Sequence, residues 1–204
     1  VVCTVLVVAL LGSLVAYSSL VTSGYFLRNT VVATTENYAV DNAVFSYFFH
    51  KYYQEFNNTY GYYFPINANV SLKGQACSLY NDGSTWFDFF AANAKSTLSN
   101  TLAFCEEAKA RGIALTEEDY EDIDNAIASI KVAAKQAGVT VSYYTHAMFG
   151  SGVNQKDLRR ALELSVLASK CNQAIIESYN YTEADFNKYV EENPSALLYA
   201  EYAA

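Results

Sequence analysis

Histidine occurs only twice in this chain, tryptophan and methionine once each, and proline twice. The cysteines, Cys3, Cys77, Cys105 and Cys171, are scattered, with no Cys-x-x-Cys pair and no histidine at metal-ligand spacing. That arrangement indicates no metal site, and it favours free cysteines packing as small hydrophobes over a single disulfide. His50 and His146 stand alone, outside any serine or cysteine nucleophile pattern. No catalytic residue and no cofactor are therefore assigned. Basic charge is scarce too: 13 Lys and Arg stand against 21 Asp and Glu, a net charge of −8. Nucleic-acid binding draws on clustered Lys and Arg at phosphates, so nucleic acid is excluded as a partner.

Charge of either sign is absent from residues 1–27, "VVCTVLVVALLGSLVAYSSLVTSGYFL", and Arg28 is the first charged side chain. An uncharged apolar run of this length can cross a bilayer as a helix. The expectation is a transmembrane helix, continuous over residues 4–26, that tethers the chain to the membrane. A cleaved signal with a small-residue site at Val21 to Ser23 is the alternative. The tether implies a single-pass protein of the cell membrane.

The remainder is rich in aromatic residues and helical periodicity, as in "FSYFFHKYYQEF" (45–56). "TVVATT" (30–35) has the β-branched density of one short strand. Asp41 offers an N-cap, and Phe45, Phe49, Tyr52 and Phe56 then recur at helical spacing as a core-facing stripe. Tyr47, Tyr53, Tyr60, Tyr62 and Tyr63 fall off that stripe and suit a contact surface. Residues 57–85, with Gly61, Pro65, Gly74 and Asp82-Gly83, read as a long loop excursion. Trp86, Phe90, Ala94, Leu98, Leu102 and Cys105 line one face of a helix ended by Gly112. Thr116 caps a second helix, with apolar positions at 120, 123, 127, 130, 134 and 137 and a stop at Gly138. A short helix lies within 140–152, a long one runs from about 154 to 179, and Thr182 with Asp185 opens a last one before Pro194. The fold class is mainly α, a multi-helix body over 28–195 with one short N-terminal strand.

The order of "TWFDFF", "EEAKARGI", "LTEEDYEDIDNAI", "HAMFGSGVNQKDLRRALELSVLASK" and "YTEADFNKYVEENP" resembles the N-terminal helical domain of SurA-type and PrsA-type extracytoplasmic foldases. The resemblance covers roughly residues 30–195. It implies a SurA-N-like chaperone domain outside the cytoplasm that binds unfolded or exported, aromatic-rich polypeptide, in a family where a parvulin-type prolyl isomerase domain usually follows. "ALLYAEYAA" (196–204) is similar to the start of such a following domain, and no isomerase active-site residue maps onto this chain. The alternatives are the non-catalytic part of a full-length peptidyl-prolyl isomerase, and a structural docking module for one fixed partner. In the resembled family a returning helix completes the helical domain. The resemblance therefore implies an open client-binding groove along the aromatic helix and the 86–110 helix, lined by Tyr47, Phe48, Trp86 and Phe89, with Met148 and Phe149 nearby.

Overall fold

A computed structural model describes residues 13–179 and 182–193. The chain divides into two compact units, Val1–Cys171 and Asn172–Ala204. In the first, residues 13–22 are helical, Ser23 and Gly24 turn, and α1 (Tyr25–Arg28) follows. Strands β1 (Val31–Thr34) and β2 (Ala39–Asp41) pair antiparallel, with Val32 bulged between Val31 and Ala33. Next come α2 (Asn42–Tyr60), a 3₁₀ turn (Leu72–Gly74), α3 (Trp86–Ala110), α4 (Glu117–Gln136) and α5 (Val141–Phe149). Helix α6 (Gln155–Ser178) carries the chain into the second unit, where α7 (Glu183–Glu192) lies. Residues 196–204, read as the start of a further domain, lie outside the described residues.

Local chemistry accounts for the helix limits. Asp41 accepts from the Ala43 and Val44 N–H groups at 3.1 Å and so caps α2. Thr85, Thr116 and Thr182 each form a full capping box with an aspartate three residues on. Gly112 and Gly138 stand at φ 71° and 68°, beyond the ends of α3 and α4. Helix α2 extends to Tyr60, so the irregular excursion starts at Gly61. Gln75 holds that excursion together, accepting from Asn67 N–H at 2.9 Å and donating to the Val70 carbonyl at 2.7 Å.

The core is built where α2 crosses α3. Phe56 meets Trp86, Phe89 and Phe90 at ring separations of 5.3–5.4 Å, and Trp86 stacks on Phe90 at 5.7 Å. These are the offset and edge-to-face contacts that ring quadrupoles favour. Leu98, Leu102, Leu158 and Ala161 extend the same cluster.

Two expectations are corrected here. Among the described residues no helix is long and apolar enough to cross a membrane, which overturns the transmembrane helix and the single-pass membrane localisation. The helix expected over 4–26 is interrupted at Ser23 and Gly24, where Gly24 takes φ 74°, and its residues 4–12 lie outside the described residues. After the break Arg28 turns inward. It donates to Asp157 from Nε at 2.9 Å and from Nη2 at 2.7 Å, and Nη2 also donates to the Gly152 carbonyl at 2.8 Å. The single strand is also corrected to a hairpin: β2 is three residues long, too short to display alternation, and its last residue is the α2 cap.

Asp157 is 2% exposed, so its charge depends on Arg28 for compensation. Arg28→Ala leaves a buried carboxylate with the Asn154 N–H still donating to it. The expected cost is about 3–5 kcal/mol, read as a lower urea midpoint. An unchanged midpoint would show that the pair carries no structural weight.

Candidate functional site

The six residues expected to line a client groove belong to two groups. Tyr47, Phe48, Trp86 and Phe89 are 7%, 4%, 3% and 9% exposed and form part of the core cluster. Met148 and Phe149 are half-buried at the end of α5. Their carbonyls accept from Gln54 Nε2 and Ser46 Oγ of α2, each at 2.7 Å, and Phe149 stacks on Tyr47 at 5.6 Å. The structure thus joins Tyr47, Phe48 and Phe149 in one ring group and Trp86 with Phe89 in another. A groove of about 420 Å³ does lie along α2, α3 and β1, but other side chains line it: Val32, Ala33, Phe45, Ala91, Ala92 and Leu98, with Lys95 and Ser99. Of the off-stripe tyrosines, Tyr60, Tyr62 and Tyr63 are 49%, 92% and 72% exposed, while Tyr53 packs edge-on against Phe90 at 5.2 Å.

The cavity that combines apolar walls with charged groups lies elsewhere. It is an open cleft of about 420 Å³ lined by Tyr38, Ala39 and Val40 of the hairpin, Lys109 at the end of α3 and Ile113, Ala114 and Leu115 of the following loop. Tyr120 of α4 and Arg160, Glu163, Leu164 and Leu167 of α6 complete it. This size is within the range of small-ligand and side-chain pockets.

Each wall is held by identifiable contacts. The hairpin turn is fastened to α3 through Asn37, whose backbone N–H donates to Glu106 Oε1 at 2.8 Å while its side chain bonds Glu106 and Lys109. Bonds from Thr35 and Asn37 hold the Glu106 carboxyl below its ordinary pKa. Behind the floor, Cys105 Sγ donates to the Leu164 carbonyl at 3.3 Å and the Tyr38 hydroxyl donates to the Cys105 carbonyl at 3.4 Å. Burial, reinforced by Cys171 and Glu106, pushes the Cys105 thiol up to about 11. A protonated, enclosed thiol is a packing group, with little nucleophilic character. Cys77, Cys105 and Cys171 are all free and buried. Arg160 Nη1 bonds Asp41 Oδ2 at 2.5 Å, which fixes one cation of the rim.

His50 lies on α2, outside the cleft lining. Burial lowers its pKa, and its ring packs edge-on against Phe49 at 5.3 Å. Among the described residues no group of three or more His, Cys, Asp or Glu side chains is placed to hold a metal ion.

The sequence pattern marks Tyr120 as an apolar helix position but does not bring the cleft residues together. Arg160, Glu163 and Leu167 lie at i, i+3 and i+7 of α6, beside the apolar seam, and this periodicity is the one feature that hints at a second functional face. Ile113 and Leu115 sit just past the Gly112 stop, where their burial depends on the hairpin and cannot be inferred locally.

The α4 wall depends on Lys170, which donates to Asp119 Oδ2 at 2.5 Å. That bond first, then those from Thr116, lowers the Asp119 pKa to about 2. A carboxyl whose folded pKa is depressed contributes stability above its unfolded value and loses it as pH falls through the folded one. Resistance to urea is therefore expected to decline from about pH 4 to about pH 2, and Asp119→Asn should flatten that part of the profile. An identical acid slope in the variant would contradict the assignment.

Neither a family model, nor a curated protein sequence, nor a solved structure matches the chain. What the protein does rests on the geometry of its own surfaces.

Proposed function

We propose that the chain is a chaperone-type binding module that holds apolar, aromatic-rich segments of extended or partly folded polypeptide. The observation that supports this reading is the open cleft between the hairpin, the end of α3, α4 and α6. Its floor, from Val40, Ile113, Leu164 and Leu167, offers burial to apolar side chains, a contribution of about 25 cal/mol per Å² of apolar area removed from water. Tyr38 and Tyr120 add broad, rigid contact area with a polar end, the kind of surface enriched at protein interfaces. Lys109, Arg160 and Glu163 place charges of both signs around that floor. A mixed rim suits a partner with an exposed polar backbone and a varied sequence. The exposed Tyr60, Tyr62 and Tyr63 supply further aromatic area on the same unit.

The test is a fluorescence anisotropy titration of a labelled apolar, aromatic-rich peptide against the full chain. Tyr120 is 44% exposed, so Tyr120→Ala removes cleft wall without opening the core. Combined with Leu167→Ser it is expected to weaken binding about tenfold, with the circular dichroism spectrum unchanged. Binding that the double variant leaves intact would move the site away from the cleft. Absence of any saturable peptide binding, together with no slowing of aggregation of an unfolded client, would overturn the function.

A further inference from the structure

A second cavity, of about 400 Å³, opens where α5 and α6 begin, and it shares no residue with the cleft. It is lined by Val141, Ser142, Thr145, Asn154, Gln155 and Lys156. Thr145 is 1% exposed, and its hydroxyl is the one buried side-chain nitrogen or oxygen among the described residues without a hydrogen-bond partner. An orphaned buried hydroxyl is unfavourable unless something bonds to it.

The surroundings are rich in donors. The α5 cap uses Thr140 Oγ1 to satisfy Tyr143 N–H at 3.1 Å, and the α6 cap uses Asn154 Oδ1 for Lys156 N–H at 2.8 Å and Asp157 N–H at 3.3 Å. The N–H groups of Val141, Ser142 and Gln155 lie ahead of any intrahelical acceptor. Two helix dipoles thus present their positive ends here, beside the Lys156 ammonium and the Ser142 and Thr145 hydroxyls. The adjacent carboxylate, Asp157, is turned to Arg28 at 2.9 and 2.7 Å and to Asn154 N–H at 2.9 Å, so its charge is compensated away from the cavity.

We propose that this cavity binds a phosphate group, as inorganic phosphate or as the phosphate monoester of a small organic molecule. Helix N-termini, hydroxyls and an ammonium are the donors such a group takes up. The Val141 wall and the volume leave space for an organic portion.

The experiment uses the full chain at constant ionic strength, with inorganic phosphate, phenyl phosphate and chloride titrated separately by calorimetry and thermal melting. Phosphate is expected to bind saturably and raise the melting temperature, with no matching response to chloride. Tighter binding of phenyl phosphate would assign the monoester, and equal or weaker binding would assign free phosphate. Thr145→Val, which removes the orphaned hydroxyl while keeping shape, should melt no lower than wild type without phosphate and bind phosphate about tenfold more weakly. Lys156→Gln should weaken binding likewise at an unchanged unliganded midpoint. No saturable binding at millimolar phosphate, or equal responses from wild type and Thr145→Val, would overturn the proposal.

Discussion

The first unit depends on one buried ion pair and a glycine contact beside it. Asp157 has little access to water, and Arg28 meets it with two nitrogens while also reaching the Gly152 carbonyl. Asp157 bonding comes first among the causes that raise the Arg28 pKa, with the charge of Asp41 a smaller contribution. The chain can approach this closely only because Gly24 and Gly152 lack side chains. A Cβ on Gly24 would lie 2.1 Å from the Gly152 carbonyl oxygen, and one on Gly152 would lie 2.7 Å from Gly24 Cα. Both residues also take positive φ, 74° and 88°, which an L side chain resists.

A second pair, one turn along α6, gives the first its register. Arg160 reaches Asp41, which ends β2 and caps α2, while Asp157 takes Arg28 three residues before β1. The open end of the hairpin, where Val31 pairs with Asp41, is therefore gripped by one helix through pairs of opposite polarity. Exchanging the two contacts would set Asp157 against Asp41 and Arg28 against Arg160, a like-charge arrangement that carries a penalty inside a protein. Charge order along α6 thus fixes which side of the hairpin, the entry to β1 or the end of β2, meets which residue. The hairpin's place in turn decides that a cleft opens between it, α4 and the middle of α6.

Most helices were legible because their limits are set by neighbours in sequence. The caps at Asp41, Thr85, Thr116 and Thr182 and the stops at Gly112 and Gly138 require only local chemistry. The break at Gly24 was not legible: the same uncharged run reads as one long helix until Gly152, 128 positions away, arrives to occupy the space a side chain would need. The client residues show the same limit. Tyr47 falls off the apolar stripe and Trp86 is assigned to a groove by resemblance alone, yet Tyr47 meets Phe149 and Trp86 meets Phe56 across elements, and both are buried in the core. The cleft was not legible because it combines a loop and a hairpin, neither of them periodic, with one flank of α6 whose spacing alone names no partner.

Helix α6 explains how a small, acidic chain keeps polar cavities next to a dense core. Its seam of Leu158, Ala161, Ala168 and Cys171 is buried, and three of these four side chains are small, which lets neighbouring backbones approach. The flank carrying Arg160, Glu163 and Leu167 is left to the cleft, and the first turn is left to the second cavity. Because Asp157 and Arg160 spend their charge on Arg28 and Asp41, the groups that line the two places differ. Lys109 and Glu163 flank an apolar floor in the cleft, where area dominates binding. Hydroxyls and helix N-terminal N–H groups surround the cavity, where a compact anion gains most. The same ion pairs that hold the hairpin therefore divide the surface of one helix into an apolar site and a donor-rich one.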